Sequence, residues 1–493
     1  MNIFNHPDMR RRIILISVLT LTACCIASTP AAGKRLSDKA VSSTVSTFFT
    51  QVLQRQDEAV LHGREAFVNP QQEQFALPLN KPLKAKDIDR MSSLIWSAWR
   101  KANIHLASTG HDGLPPLCPL AGSTASVWTL PSSLEPEATL SFYWGWKGAA
   151  ADTARNALPL FLYLHGSGPR DREWAIGKQL ATQFDDAPSI YFIPRIPNEG
   201  SYYRWWQLAK QYAWERLLRL ALCDPKVDAN RLYVFGISEG GYGSQRLASF
   251  YADYWAAAGP MAGGEPLRNA PAENCANIGF SLLTGERDTG FYRNVLTQRA
   301  KEVFDSLQRT TKVVDGDSTL FIHRIELQKG RGHGIDYRPD TPWLKTFRRN
   351  PWPKHIMWED FAMDGRHRRA FYNISVEKRP EEDEEARTAY TMDIVGDTVH
   401  LSVSKVAYTV TERDPDWGIE LKTAKQYSPA RGGKIKIFLN QQLVNLEKKV
   451  VVTVNGAVRY EGRPTVTVGN LIESCLLWGD PMRLFPASVL ISY

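Results

Sequence analysis

Gly236-Ile237-Ser238-Glu239-Gly240 sets one hydroxyl among glycines, after a β-rich run at residues 231–235 and before a helix-like start at 241–248. A serine on a tight strand-to-helix turn stands clear of the sheet and can act as a nucleophile. Side chains beside it would clash with strand and helix, so glycine is required there. The turn also puts the Glu239 N–H at a helix N-terminus, facing negative charge that develops on an attacked carbonyl oxygen. A serine hydroxyl needs a base, and the base needs an acid to fix its tautomer. Gly330-Arg331-Gly332-His333-Gly334 offers the base, because His333 follows an alternating, strand-like run at 321–327. Asp288 offers the acid, in a loop of glycine and acidic residues after the apolar run Phe280-Ser281-Leu282-Leu283. Glu286 shares that loop, and Asp336 follows the histidine. Asp288 is preferred, because the loop from Gly285 leaves the chain room to turn toward His333. Asp336 is too near His333 in sequence to sit behind its imidazole. Upstream, His165-Gly166-Ser167-Gly168 ends another apolar run, and the N–H of Ser167 or Gly168 is the expected second oxyanion donor. His165 is expected to orient that loop rather than react, and His323 and Ser281 to be strand residues.

Serine, then aspartate, then histidine, each after a strand, is the chain order of the α/β-hydrolases, which this constellation resembles. Residues 136–345 carry the resemblance. It extends to exported bacterial carbohydrate esterases related to polyhydroxybutyrate depolymerases and feruloyl esterases. The run Asp224-Pro225-Lys226-Val227-Asp228-Ala229-Asn230-Arg231 matches a D-P-x-V-D-x-x-R pattern common before the elbow strand there. A Pro-rich connector at 351–358 and the β-rich tail after it more loosely resemble the two-domain pectin methylesterases of the α/β-hydrolase type made by gut glycan degraders. Such a family implies hydrolysis of methyl esters on galacturonic acid, through an acyl-enzyme and without a cofactor. Acetyl or feruloyl esters on another polysaccharide are the alternative, as is an exported prolyl-oligopeptidase-like serine peptidase. That peptidase family usually carries a β-propeller first, and no propeller-length repeat array precedes residue 128. A glycan-binding protein on an inactive hydrolase scaffold is a third reading, against which the intact Ser238, Asp288 and His333 stand.

The elements that must hold these residues follow from pattern. From residue 128 to about 350 strands alternate with helices, which implies a mostly parallel sheet flanked by helices. Between a strand at 189–194 and the elbow lies Tyr202-Tyr203-Arg204-Trp205-Trp206. Loops at the C-terminal ends of such strands border the active site. Arg204, Trp205 and Trp206 are therefore substrate-binding candidates, indole faces for a sugar ring and guanidinium for a carboxylate. The alternative is that both indoles pack beneath the following helix. Residues 24–127 read as a tether and a helical extension, with Ile88, Met91, Ile95, Ala98 and Trp99 at helical spacing and expected to pack on the main domain. Residues 128–350 are the catalytic α/β-hydrolase domain. Residues 351–493 read as an all-β sandwich-like domain, with Asn455-Gly456 as a type I′ hairpin turn and an exposed acidic run at 381–385. That domain holds no catalytic motif, and is expected either to bind glycan or to brace the hydrolase.

A chain of 493 residues exceeds one ordinary domain, and 43% apolar with 11% aromatic residues makes it globular. Fifteen tryptophans suit sugar stacking as well as a Trp-rich core. The net charge of +8 favours anionic partners. No basic run lies in the body of the chain, so nucleic acid is not expected; an acidic, pectin-like polysaccharide is the partner that the resemblance implies. Cys118, Cys223, Cys275 and Cys475 form no metal-ligand spacing, so no metal site is expected, and the resemblance implies no cofactor. Arg10-Arg11-Arg12 and the apolar run 13–21, too short to span a bilayer comfortably, form a secretory leader. Leu21-Thr22-Ala23-Cys24 resembles a lipobox, which implies removal of residues 1–23, a lipid on Cys24 and a membrane-anchored protein of a Gram-negative envelope. Ordinary cleavage between Ala27 and Ala32 is the rival.

Overall fold

The computed structural model describes residues 37–61, 79–80, 82–110, 112–150, 156–197, 204–314, 319–380 and 386–493. The leader, Cys24, Tyr202, Tyr203 and the acidic run 381–385 lie outside the described residues. Helices α1 (Asp38–Leu61) and α2 (Ile88–Ser108) come first. The central sheet is built from β1 (Ser126–Thr129), β2 (Thr139–Lys147), β3 (Leu158–Leu164), β4 (Ser189–Pro194), β5 (Val227–Ile237), β6 (Ala257–Met261), β7 (Gly279–Gly285) and β8 (His323–Gln328). Between these strands run α3 (Arg170–Gln183), α4 (Leu208–Cys223), α5 (Glu239–Phe250) and α6 (Arg293–Thr310), and α7 (Asp340–Leu344) follows β8.

The strand order is β1-β2-β4-β3-β5-β6-β7-β8. Strands β1, β2 and β4 pair antiparallel, and every pairing from β4 to β8 is parallel. This is the α/β-hydrolase fold. The apolar runs alternate between two cores, as strands covered on both faces must. Leu160, Leu162, Leu164, Ile190, Phe192, Leu232 and Val234 enter one, with Trp214 and Leu217 of α4 and Leu247 of α5. Phe161, Tyr163, Tyr191, Ile193, Tyr233 and Phe235 enter the other, with Trp174 of α3 and Leu344 of α7.

The tail is a β-rich region of β9 (His355–Asp360), β10 (Ala370–Phe371), β11 (Ile374–Lys378), β12 (Ala386–Val395), β13 (Thr398–Arg413), β14 (Glu420–Pro429), β15 (Lys434–Leu439), β16 (Val450–Val454), β17 (Ala457–Gly462) and β18 (Ala487–Ser492). One sheet runs β10-β11-β15-β18, the other β17-β16-β13-β12-β9, with β14 added on β13. Asn455 and Gly456 join β16 to β17 at φ 49° and 82°, the left-handed pair that a type I′ turn needs. One helix, α8 (Val468–Trp478), breaks the all-β pattern expected here. Its N-terminus is capped by the Thr467 hydroxyl, which accepts from the Asn470 N–H at 3.1 Å, and its C-terminus by left-handed Gly479.

That helix changes where α2 packs. Ile95 and Trp99 bury against Phe49 and Val52 of α1 and Leu471, Ile472 and Cys475 of α8. Contact with the α/β part is made at Cys223, whose carbonyl accepts from Arg100 Nε at 2.9 Å. Asp38–Tyr493 form one compact unit. The expected boundary near residue 350 is thus a change of architecture inside a continuous core, with Phe250 and Phe361 rings 5.4 Å apart across it. Buried ion pairs cross it too. Arg483 bonds both Asp253 (2.5 Å) and Asp480 (2.7 Å), Arg349 bonds Asp480 (2.7 Å), and Arg368 bonds Asp253. Burial alone would raise the Asp253 carboxyl, but Arg368 and Arg483 hold it below its ordinary value. Cys118, Cys223, Cys275 and Cys475 are free thiols. No helix among the described residues is long and apolar enough to cross a membrane.

Candidate active site

Ser238 joins β5 to α5 at φ 58°, ψ −113°, a conformation costly for any residue with a side chain. Close packing holds it there. A Cβ on Gly236 would lie 2.3 Å from the Gly240 carbonyl oxygen, and one on Gly240 would lie 1.9 Å from that of Leu164. The Ser238 N–H donates to the Met261 carbonyl of β6 at 2.9 Å. Its hydroxyl lies 3.0 Å from His333 Nε2, and His333 Nδ1 lies 2.8 Å from Asp288 Oδ2. Three loops at the C-terminal ends of β5, β7 and β8 thus bring Ser238, Asp288 and His333 into one hydrogen-bonded chain. The imidazole is exposed on its outer side, while Asp288 is buried.

Asp288 has a second partner that the sequence reading did not find. Arg293, at the start of α6, donates Nε to both carboxylate oxygens (2.9 and 3.0 Å) and Nη2 to Oδ1 (2.6 Å). Burial works to raise the Asp288 carboxyl, yet Arg293 and His333 keep it below its ordinary value, so it stays charged. Arg293 Nη1 also reaches the Tyr242 hydroxyl at 3.3 Å, tying the acid to α5. The other two acids are occupied elsewhere. Glu286 accepts from the Gly330 N–H at 2.8 Å and so braces the histidine loop. Asp336 is bound by Arg338, whose hydrogen bonds lower its carboxyl to about 2.

The loop after β3 faces Ser238. A Cβ on Gly166 would lie 3.5 Å from that of Ser238, and Ser167 follows it, exposed. His165 is fully buried behind this loop. Its Nδ1 donates to the Gly166 carbonyl at 2.8 Å, and its Nε2 accepts from the Ile196 N–H at 3.1 Å. Burial lowers its pKa to about 4, so the ring is neutral with the proton on Nδ1. On the opposite side, Glu239 opens α5, where its N–H has no acceptor within the helix.

The aromatic loop divides. Trp205 is 0% exposed, which corrects its expected role in substrate contact. It packs on Gly243 of α5, and its indole N–H donates to the His165 carbonyl at 3.0 Å. An indole that fills the space between the loop after β3 and α5 has no face left for a ligand. Trp206 is half-buried, with the Arg246 guanidinium 3.9 Å from its ring centre and that of Arg204 at 6.0 Å. The Arg204 side chain is 45% exposed and its Nη1 lies 3.8 Å from Glu239 Oε1. Arg246 is committed to Glu265 by two hydrogen bonds of 2.9 and 3.0 Å.

No family model matches the chain, and no curated protein does. Several solved structures are similar over part of it. A thermostable esterase is 18% identical over 46% of this chain, which spans 60% of that esterase, with a TM-score of 0.33. A ferulic acid esterase is 14% identical over 47% of this chain and 99% of its own, with a TM-score of 0.33. A carboxylesterase from Bacillus cereus is 14% identical over 50% of this chain and 97% of its own, with a TM-score of 0.30. These likenesses are distant, and the fold rests on the strand order and the parallel pairings described above.

Proposed function

We propose that the chain is a serine ester hydrolase that removes ester groups from a polysaccharide, with methyl-esterified galacturonan as substrate. The observation that carries the hydrolase reading is the Ser238–His333–Asp288 hydrogen-bonded chain on a strained strand-to-helix turn. Ser238 Oγ attacks the acyl carbonyl while His333 Nε2 takes its proton. Asp288, kept ionised by Arg293, holds the Nδ1 proton and stabilises the imidazolium. The N–H groups of Glu239 and Ser167 receive the oxyanion, each worth about 3 kcal/mol in the transition state. The tetrahedral intermediate collapses, the alcohol leaves with the proton from His333, and water repeats the sequence on the acyl-enzyme. On this reading the His165 tautomer and the Trp205 indole hold the oxyanion loop in place.

The half-exposed Arg204 beside Glu239 supports the acidic substrate: a uronic carboxylate neighbouring the scissile ester would compete with Glu239 for the guanidinium. The leader and the lipobox-like Cys24 support an envelope-anchored enzyme meeting polymer outside the cytoplasm. The test is a panel of p-nitrophenyl acetate, methyl-esterified pectin, an acetylated neutral glycan and a dipeptide amide, with Ser238→Ala as control. Methanol release from pectin, lost in the control, is expected. Arg204→Ala should raise KM for pectin far more than for p-nitrophenyl acetate. Turnover of the acetylated glycan alone would replace the pectin reading, and turnover of the amide alone would replace the esterase reading.

A further inference from the structure

Two large aromatic side chains stand in solvent beside the triad loop. Trp417 is 68% exposed and Phe291 49% exposed, their rings 5.2 Å apart and inclined at 65°. With Thr289, Gly290, Tyr292 and Asn294 they line an open cleft of about 470 Å³, within the size range of small-ligand sites. Exposed apolar surface of this kind costs solvation unless something uses it.

The backbone is forced to make this cleft. Phe291 (φ 51°) and Tyr292 (φ 58°) are consecutive left-handed residues with side chains, a conformation that persists only where surrounding structure imposes it. The imposing contacts lead to the acid. Arg293 holds the Asp288 carboxylate with Nη2 at 2.6 Å, and its guanidinium lies 5.6 Å from the Phe291 ring centre. The Asn294 N–H donates to the Asp288 carbonyl at 3.1 Å. The loop that turns Phe291 outward is thus the loop that carries Asp288, at the edge of the sheet where Ser238 and His333 also stand.

The other wall comes from the β-rich region. Trp417 sits at the tip of the β13–β14 hairpin, where Asp414 Oδ2 accepts its N–H at 2.6 Å and Gly418 turns at φ 69°. Three ion pairs fasten this hairpin to the catalytic part: Glu412 to Arg299 (3.6 Å), Glu420 to Arg268 (3.1 Å) and Lys425 to Glu273 (2.7 Å). A hairpin tied along both strands delivers its tip to a fixed place.

We propose that Phe291 and Trp417 form a sugar-binding subsite that holds one pyranose ring of the polysaccharide whose ester reaches Ser238. The two rings touch edge to face, so together they form one apolar platform with no gap between them, and a pyranose ring lies on its outer faces through the C–H groups of one sugar face. Thr289, which lines the cleft, carries a hydroxyl that suits a ligand with hydroxyls of its own. The β-rich region then takes part in substrate binding rather than serving as a brace alone. The inference rests on the polysaccharide reading of the active site, and the test separates the two.

Binding is measured on the full chain carrying Ser238→Ala, by calorimetry with methyl-esterified galacturonan, a neutral glucan and methyl ferulate. Adding Trp417→Ala, at an exposed hairpin tip, should weaken binding of one of the two polysaccharides about tenfold or more, and Phe291→Ala should do likewise. Trp417→Phe should restore most of it, with the melting midpoint unchanged across the set. Unaltered polysaccharide binding in both alanine variants would overturn the subsite. So would Trp417-dependent binding of methyl ferulate without either polysaccharide, which would make it an aryl site. Loss of binding together with a lowered melting midpoint that Trp417→Phe also shows would reassign the pair to structure. If polysaccharide binding depends on Trp417 while no ester on the panel is hydrolysed by the Ser238 enzyme, the subsite stands and the esterase reading falls.

Discussion

Replacing Glu239 by glutamine removes one titrating proton from the elbow while keeping the shape of the side chain and the backbone N–H. Glu239 is 8% exposed, and its Oε1 has no hydrogen-bond partner among the described residues. Burial pushes its carboxyl from the ordinary 4.5 up to about 7; Arg204 and Arg246 pull it back, and Glu265 adds to the rise. The folded chain therefore binds this proton more tightly than the unfolded chain does. The stability linked to it is fully present below about pH 4.5 and is lost as pH rises through about 7. At about 1.36 kcal/mol per tenfold difference, the gap amounts to roughly 3 kcal/mol, of which under about 1 kcal/mol is already lost at pH 5. The amide of Glu239→Gln cannot ionise. The stability advantage of this variant over wild type should therefore grow by roughly 2–3 kcal/mol between pH 5 and pH 8. Urea unfolding of both proteins at the two pH values, followed by tryptophan fluorescence, reads this directly, since every other titrating group is common to the pair. A difference that stays flat with pH, or shrinks, would mean that Glu239 folds in the charged form beside Arg204, and the reasoning from burial would be wrong.

On the proposed mechanism, Asp288 should separate from its neighbour Glu286 by rate. Asp288→Asn is expected to lower kcat on the order of 10⁴-fold by leaving His333 in the wrong tautomer, whereas Glu286→Gln should cost far less; the reverse order would move the role to Glu286. Arg293→Met removes the main force that keeps the Asp288 carboxyl low, so the acid limb of the kcat/KM profile should move to higher pH, and an unmoved limb would show that His333 alone suffices. Arg483→Met leaves Asp253 and Asp480 short of a buried partner and should destabilise the fold by about 3–5 kcal/mol, measured by denaturant midpoint. In the wild type, the stability carried by Asp253 is present above its ordinary value of 3.8 and should be lost as pH falls through its lower folded value.

The parts of the site legible in the sequence are those whose geometry is local. The glycines around Ser238 and His333 report close backbone approach within a few residues, and apolar runs bounded by turn residues report strands buried on both faces. Trp205 shows where that reading stops. An aromatic cluster in a loop is the same pattern whether the indole faces a ligand or fills the gap behind His165. What decides is the space over Gly243, which belongs to a helix far along the chain. Arg293 escapes a sequence reading for a related reason: an arginine at a helix start has no motif value until the strained turn at 291–292 swings it back onto Asp288. The helix α8 did leave a signal, Thr467 at its start and Gly479 just past its end, overshadowed by the β-rich texture before it.

Charge is the least legible quantity of all. A net +8 says that the chain is basic, yet many of its arginines are spent inside the molecule, as Arg293 on Asp288, Arg246 on Glu265 and Arg483 on two aspartates. What bears on an acidic substrate is therefore which guanidinium is accessible beside Ser238. There the half-exposed Arg204 has an acidic neighbour at 3.8 Å, an acid that burial holds near its midpoint at neutral pH. The attraction available to a uronic carboxylate at this position is accordingly tied to the protonation of Glu239. When that acid is neutral its charge no longer acts on the guanidinium, and when it ionises it competes with the substrate for it. Affinity for an acidic polysaccharide should thus weaken as pH rises through about 7 in the wild type, and lose that dependence in Glu239→Gln. A KM for methyl-esterified pectin that rises equally in both proteins would separate Arg204 from substrate binding.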